Sequence, residues 1–267
     1  MPHFFINSVQ VNDSKIVISR SVLPRRQNEE NYFHIARSLR ARTGENLLLI
    51  DENKIQYETT IESITSDEII AKIDKSYPSK RFLDFELYLA QSPLRSDAQN
   101  LLIEKATELG VTGIYPIKTD NCALNNEMID KKIEKWQKIM YESSKQCERA
   151  DIPTCYPRTT LEKILEENDF DKVMVFCERI ATKTIRQSFE EKPIKKEDKV
   201  LVIIGPEGGF SQKEFDNFSF PPPEGGQKSL ISRRGQIEML TLGDMILRAE
   251  TATTVALGNI IYEYSNH

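Results

Sequence analysis

No apolar run in the 267-residue chain approaches the roughly 20 residues that a membrane-spanning helix needs. The opening residues, Met1-Pro2-His3-Phe4-Phe5-Ile6-Asn7, carry neither a long apolar stretch nor a cleavage pattern, so no secretory signal, no membrane partner and a cytoplasmic location are expected. Cysteine is scarce. Cys122, Cys147, Cys155 and Cys177 stand far apart with no Cys-x-x-Cys pair, which argues against structural zinc or a dithiol redox site and for reduced thiols. Histidine is scarcer still: His3 and His267 lie near the termini, and His34 sits inside an arginine-rich segment far from the glycine turns. No Ser/His/Asp order or paired carboxylate stands out as a hydrolase site. The G-x-G-x-x-G fingerprint and the Lys-Ser/Thr of a phosphate-binding loop are both missing. Excess positive charge is missing too. A net charge of −5 and a pI near 5.5 exclude binding to nucleic acid by bulk charge, while leaving room for a local basic face.

What is present is ordinary globular material, 39% hydrophobic and 29% charged, long enough for about two domains. Residues 1–74 read as a small β-barrel: short strands at 3–9, 15–18, 47–50, 55–61 and 68–73 around one helix, for which Asn28 is the expected N-cap. Six arginines (Arg20, Arg25, Arg26, Arg37, Arg40 and Arg42) crowd residues 20–42 against Glu29 and Glu30, and Arg37 and Arg40 are three apart on that helix. Residues 75–81, polar and carrying Pro78, are the expected linker. From 82 to 267 strands alternate with helices: strands at 85–90, 111–117, 173–177 and 200–204, and helices at 97–109, 126–149 and 161–167. That alternation predicts a parallel sheet covered on both faces. The insert Pro221-Pro222-Pro223-Glu224-Gly225-Gly226, followed by Arg233-Arg234, reads as a surface loop.

Two stretches near the C-terminus carry the chemistry. Val200-Leu201-Val202-Ile203-Ile204 opens on Gly205-Pro206-Glu207-Gly208-Gly209-Phe210, and Met239-Leu240-Thr241-Leu242 opens on Gly243 with a helix expected from Asp244 as N-cap. The carboxyl ends of strands in open α/β sheets are where small ligands bind. Glycine lets backbone N–H groups approach a ligand with no Cβ in the way. A glycine-rich strand end is also, more simply, a turn. Arg248 and Glu250 are equally readable as an exposed charged pair on a packed helix, and Glu104-Lys105-Ala106-Thr107-Glu108-Leu109-Gly110 as an amphipathic helix with a glycine stop.

Together these stretches resemble a family. Ile204-Gly205-Pro206-Glu207-Gly208-Gly209-Phe210-Ser211 with Glu214, Leu242-Gly243 through Ile246-Leu247-Arg248 with Glu250-Thr251-Ala252, Lys105-Ala106-Thr107-Glu108-Leu109-Gly110-Val111, and His34 with Leu39-Arg40 and Gly44 are similar, in order, to the motifs of the bacterial 16S ribosomal RNA uridine-N3 methyltransferases (the RsmE family). Glu104, Asp51-Glu52, Thr119-Asp120-Asn121-Cys122 and the long insert around 221–235 depart from that pattern. The resemblance implies an α/β fold: a C-terminal SPOUT-type α/β trefoil knot with a parallel sheet, plus an N-terminal PUA-like β-barrel. It implies a homodimer that uses S-adenosylmethionine and acts on 16S ribosomal RNA within the small ribosomal subunit. Phe176, Cys177, Gly205, Pro206, Glu207, Gly208, Gly209, Leu242, Gly243, Ile246, Leu247 and Arg248 would line the cofactor pocket. Arg248 and Glu250 would be catalytic, Arg248 orienting the base or a phosphate and Glu250 or Glu207 taking the N3 proton. The six arginines would grip RNA phosphates. Methyl transfer from a sulfonium needs no metal. Two other readings stay open: a knot-fold RNA-binding or assembly protein without transferase activity, and a related enzyme methylating a different atom such as a ribose 2′-hydroxyl.

Overall fold

In the computed structural model, which describes residues 1–20, 25–177, 181–218 and 237–266, the chain divides into two units: Met1–Phe82 with Ser144–Asp151, and Leu83–Ser143 with Ile152–His267. The expected surface loop at 221–226, Arg233-Arg234 and Glu178 lie outside the described residues, as do the side chains of Arg25 and Arg26.

The first unit is built on β1 (His3–Phe5), β2 (Val11–Asn12), β3 (Lys15–Ser19), β4 (Asn46–Ile50), β5 (Ile55–Ile64) and β6 (Glu68–Pro78). They pair in the order β1-β4-β5-β6-β3-β2, antiparallel except for β1 with β4. The long β5–β6 ladder carries two register shifts, between Glu58 and Thr59 and between Ile61 and Ser63; bulges of this kind bend a long ladder. Phe4, Ile16, Ile18, Leu47, Leu49, Ile61 and Ile69 bury one face of the sheet, and Tyr32 and Ile35 close over it from helix α1 (Arg25–Phe33) and the π-helical turn His34–Ser38 that continues it. Asn28 is not the N-cap: it is buried inside α1. Its neighbours Gln27 and Asn31 both donate to the Phe5 carbonyl, at 2.9 and 2.7 Å, so these amides tether the helix to β1. Lys75 to Pro78, expected as linker, continue β6, with the Tyr77 hydroxyl donating to Glu58 at 2.8 Å across the strands.

The second unit holds β7 (Glu86–Gln91), α2 (Ser96–Glu108), β8 (Gly113–Pro116), α3 (Asn126–Asp130), α4 (Ile133–Gln146), β9 (Thr154–Cys155), α5 (Leu161–Glu167), β10 (Lys172–Phe176), α6 (Ile185–Glu191), β11 (Lys199–Ile204), α7 (Gln212–Phe218), β12 (Ile237–Leu240) and α8 (Ala249–Asn266). The sheet is wholly parallel, in the order β12-β10-β11-β7-β8-β9. Alternation sorts its two faces. Val200, Val202 and Ile204 point into the core shared with α2, α4, α6 and α8; Leu201 and Ile203 point into the core shared with α5 and α7. The helix expected over 126–149 is two helices, α3 and α4, with Asn125 capping the first through its side chain to the Met128 N–H. Gly110 ends α2 at φ +84, the left-handed C′ position that glycine adopts without strain.

The strand that delivers the second glycine turn is pinned by a buried charge cluster. The Glu238 carboxylate on β12 meets Lys172 of β10 at 3.2 Å, Lys183 at 2.8 Å and the Ser188 hydroxyl at 2.6 Å. Burial pushes the Glu238 pKa up, but the bonds from Lys183 and Ser188 and the Lys172 charge outweigh it, so the group stays below the usual carboxylate range. Lys172 also donates to the Ser188 and Lys192 carbonyls, so the buried ammonium is fully partnered.

Candidate active site

Three strand ends meet at one edge of the parallel sheet. Val175 pairs with Ile203 and Phe176 with Leu240, so β10, β11 and β12 run out side by side. Just past them the Cys177 N–H donates to the Leu240 carbonyl at 2.9 Å. The turns at 205–210 and 241–248 therefore leave the sheet on either side of Phe176-Cys177, which places the strand ends expected to hold the cofactor along one side of the sheet. Phe176 and Cys177 are buried at the base; burial raises the Cys177 thiol to about 12, which keeps it protonated and unreactive.

The turn at 205–210 is tightly built. A Cβ on Gly205 would come within 3.1 Å of the Phe210 ring, so glycine is what allows that ring to fold back over the end of β11. Gly209 sits at φ +68 with its N–H on the Pro206 carbonyl at 2.9 Å. Two outside groups fasten the turn, and a capping box follows it. Asn121 donates through Nδ2 to the Gly208 and Gly209 carbonyls at 3.3 and 3.1 Å. The Arg95 N–H donates to Glu207 Oε1 at 3.1 Å. Ser211 and Glu214 form a capping box on α7: the Ser211 N–H donates to Glu214 Oε2 at 2.8 Å and the Glu214 N–H to Ser211 Oγ at 3.3 Å. The other Glu214 oxygen accepts from the Asp120 N–H at 3.1 Å. The Ser211-x-x-Glu214 spacing signals such a box in sequence. Asn121 and Arg95 carry no such signal, because their partners lie about a hundred residues downstream.

The turn at 241–248 is open. Thr241 Oγ1 accepts from the Gly243 N–H and donates to the Gly243 carbonyl, both at 3.1 Å, and Gly243 takes φ +116. Met245 and Ile246 are 78% and 66% exposed. The helix expected from Asp244 starts instead at Ala249, and Asp244 lies in a bend. The Thr241 hydroxyl holds a local turn around Gly243, and the first helical bond forms only at the Arg248 carbonyl, which accepts from the Ala252 N–H at 2.7 Å. Arg248 is thus an exposed residue at the helix mouth, with half-buried Glu250 just inside it.

A Cβ on Gly209 or on Gly243 would meet nothing within 4 Å, so open space lies beside both turns. A separate cleft of about 170 Å³ opens on the other side of the glycine turn, lined by Thr119, Asp120, Phe210, Lys213, Glu214 and Asn217 among others; no described residue of the turn at 241–248 lines it. No group of His, Cys, Asp or Glu suited to a metal is found among the described residues. His34 belongs to the first unit, its Nδ1 3.2 Å from Lys145 Nζ and its ring edge-on to Phe4. Of the arginines, Arg20 follows β3, Arg37 lies in the π-helical turn, Arg40 takes a left-handed φ of +51 and Arg42 is exposed, all in the first unit.

Comparison with known proteins fits this architecture. Residues 82–221 match the RNA methyltransferase domain, and residues 28–74 match the RNA methyltransferase PUA domain. The ribosomal RNA small subunit methyltransferase E of Bacillus subtilis is 25% identical over 241 residues, 88% of each chain. Its counterpart from Aquifex aeolicus is 28% identical over 200 residues, 74% of this chain and 76% of that one. A crystal structure of the Neisseria gonorrhoeae enzyme of the same name, bound to S-adenosyl methionine, superposes with a TM-score of 0.74 over 99% of this chain and 98% of that one, at 22% identity. The fold is therefore that of these methyltransferases, an α/β unit on a wholly parallel sheet with a PUA β unit toward the N-terminus. The chain belongs to the RNA methyltransferase domain family.

Proposed function

We propose that this RNA methyltransferase uses S-adenosylmethionine to methylate N3 of a uridine in 16S ribosomal RNA, and that it works as a homodimer. The observation that carries the reading is that the turns at 205–210 and 241–248, both with open space at a positive-φ glycine, flank the end of β10 at the carboxyl edge of one parallel sheet. The names of the relatives supply the small-subunit RNA as substrate class.

When bound there, S-adenosylmethionine supplies an electrophilic methyl group on a sulfonium. The residues of this chain do the rest. Gly205 to Gly209 and Leu242 to Leu247 hold the donor, with Phe176 and buried Cys177 beneath. Uracil N3 carries a weakly acidic proton and is normally base-paired, so the base must be unstacked and presented singly. N3 then loses its proton and gains the methyl, and the sulfonium becomes a thioether. Positioning alone supplies up to about 7–11 kcal/mol of such a barrier. Arg248, exposed at the mouth of α8, orients the base and stabilises the negative charge that develops on its carbonyls. Glu250, one helical step inside, is the better-placed proton acceptor, because Glu207 is committed to the Arg95 N–H. The test is methylation of naked 16S RNA and of isolated small subunits with labelled cofactor, followed by nucleoside mass analysis. 3-Methyluridine is the expected product. A ribose-methylated nucleoside would overturn the target atom, and cofactor binding without methylation of either substrate would overturn the transferase reading.

A further inference from the structure

In the first unit two guanidinium groups share one aromatic ring. Arg37 stands 4.5 Å and Arg20 4.9 Å from the centroid of Phe33, and Arg20 also lies 5.7 Å from the Tyr32 ring. Phe33 and Arg37 are four apart across the junction of α1 with the π-helical turn, a spacing that places one side chain over the other. The turn is irregular in a directed way. The Leu39 N–H donates to the His34 carbonyl at 2.9 Å, Arg40 is left-handed at φ +51, and Leu39 is 42% exposed. Short π-helical insertions of this kind recur at functional sites.

The pair is electrostatically under-compensated. Among the described residues the one carboxylate paired with either guanidinium is Glu29, 3.8 Å from Arg20, and Arg20 Nε is buried with no partner. Two guanidiniums on one ring with a single long ion pair leave excess positive charge there, even though Arg20 Nη1 also donates to the Ser66 carbonyl at 3.3 Å, and an anion would relieve it. The ring in turn holds each guanidinium as a flat surface on which a further π-system can stack. Single-stranded RNA offers both features, phosphates at regular intervals and unstacked bases between them.

We propose that Arg20, Phe33 and Arg37 form a stacking platform for unpaired RNA bases, with the guanidinium pair also taking a backbone phosphate. This rests on the RNA-modifying reading above and adds to it that the first unit reads single-stranded rather than duplex RNA. An acidic peptide would satisfy the charges but not the stack.

The test is equilibrium binding of a labelled uridine-rich 12-mer, an abasic 12-mer and a duplex of the same length, across a salt series, to the full chain and to Phe33→Leu, Arg37→Lys and Arg37→Gln. Phe33→Leu should weaken the 12-mer about 5- to 100-fold while leaving its salt slope intact. Arg37→Lys keeps the charge and does not touch the core, so it should also lose affinity at unchanged slope. Arg37→Gln should lower the slope by about 0.7. The abasic strand should not distinguish the wild type from Phe33→Leu. Equal binding of the 12-mer by wild type, Phe33→Leu and Arg37→Lys would overturn the platform, as would tighter binding to the duplex or competition by polyglutamate at equal charge. S-adenosylhomocysteine binding, followed in parallel, confirms that each variant is folded. Its absence from the wild type would fail the transferase reading without touching the platform.

Discussion

The two turns at the edge of the parallel sheet are both led by glycine, and they are built in opposite ways. The turn at 205–210 is fastened from outside by Asn121 and by Arg95 through Glu207, and its Phe210 is buried beneath it. The turn at 241–248 is held mainly by the Thr241 hydroxyl, and it presents Met245, Ile246 and Arg248 outward. One wall is preorganised before any ligand arrives. The other leaves its apolar and charged side chains exposed. That division suits a transferase, in which a rigid backbone cradle fixes the donor while an exposed arginine meets the acceptor.

The contrast makes Arg248 the most sensitive position. Arg248→Ala should lower methyl transfer about 10²–10³-fold, the scale of removing one group that stabilises developing charge, with cofactor affinity held. Normal turnover and normal RNA affinity in steady-state assays would break the contrast. Acid provides a control that leaves both walls alone. His3, in the first unit, is buried beside Arg81 and Lys145; burial first, then the Arg81 charge, lowers its pKa to about 4 from 6.5. A lowered folded pKa means that the unfolded chain binds the proton more readily, so the stability His3 contributes is complete above pH 6.5. It is lost as the pH falls from 6.5 toward 4, by about 3 kcal/mol in total. Urea melts of wild type and His3→Gln over that range should show a steeper loss of stability with acid in the wild type. Gly243→Ala comes next: a Cβ at φ +116 costs about 1–3 kcal/mol of backbone strain, read as cofactor affinity weakened about 5- to 100-fold. Asn121→Ala is the mildest. Two exposed hydrogen bonds to Gly208 and Gly209 disappear, and calorimetry should show cofactor affinity down about 5-fold with little change in melting temperature. A larger loss from Asn121→Ala than from Gly243→Ala would invert the assignment of rigid and open walls.

Much of this was legible in the sequence. The apolar runs Val200 to Ile204 and Val173 to Phe176 read as buried parallel strands because both faces of such strands are covered, and Gly205 marks the end of the first. What could not be read was set by distant partners. Asn28 has the chemistry of a cap, yet it lies within a helix whose neighbouring amides Gln27 and Asn31 tether it to the Phe5 carbonyl. Asp244 has the chemistry of a cap as well, but Thr241 takes the turn first and delays the helix to Ala249. The clamps from Asn121 and Arg95 span 87 and 112 residues, beyond any local pattern. The Arg20–Phe33–Arg37 stack joins a strand end to a helix and was invisible as a count of arginines.

If the two turns together hold the methyl donor, hydrogen exchange with and without S-adenosylhomocysteine should show slowed exchange in both segments, 205–209 and 241–247, and little change along β4 and β5. Protection absent from either turn, or confined to the first unit, would contradict it.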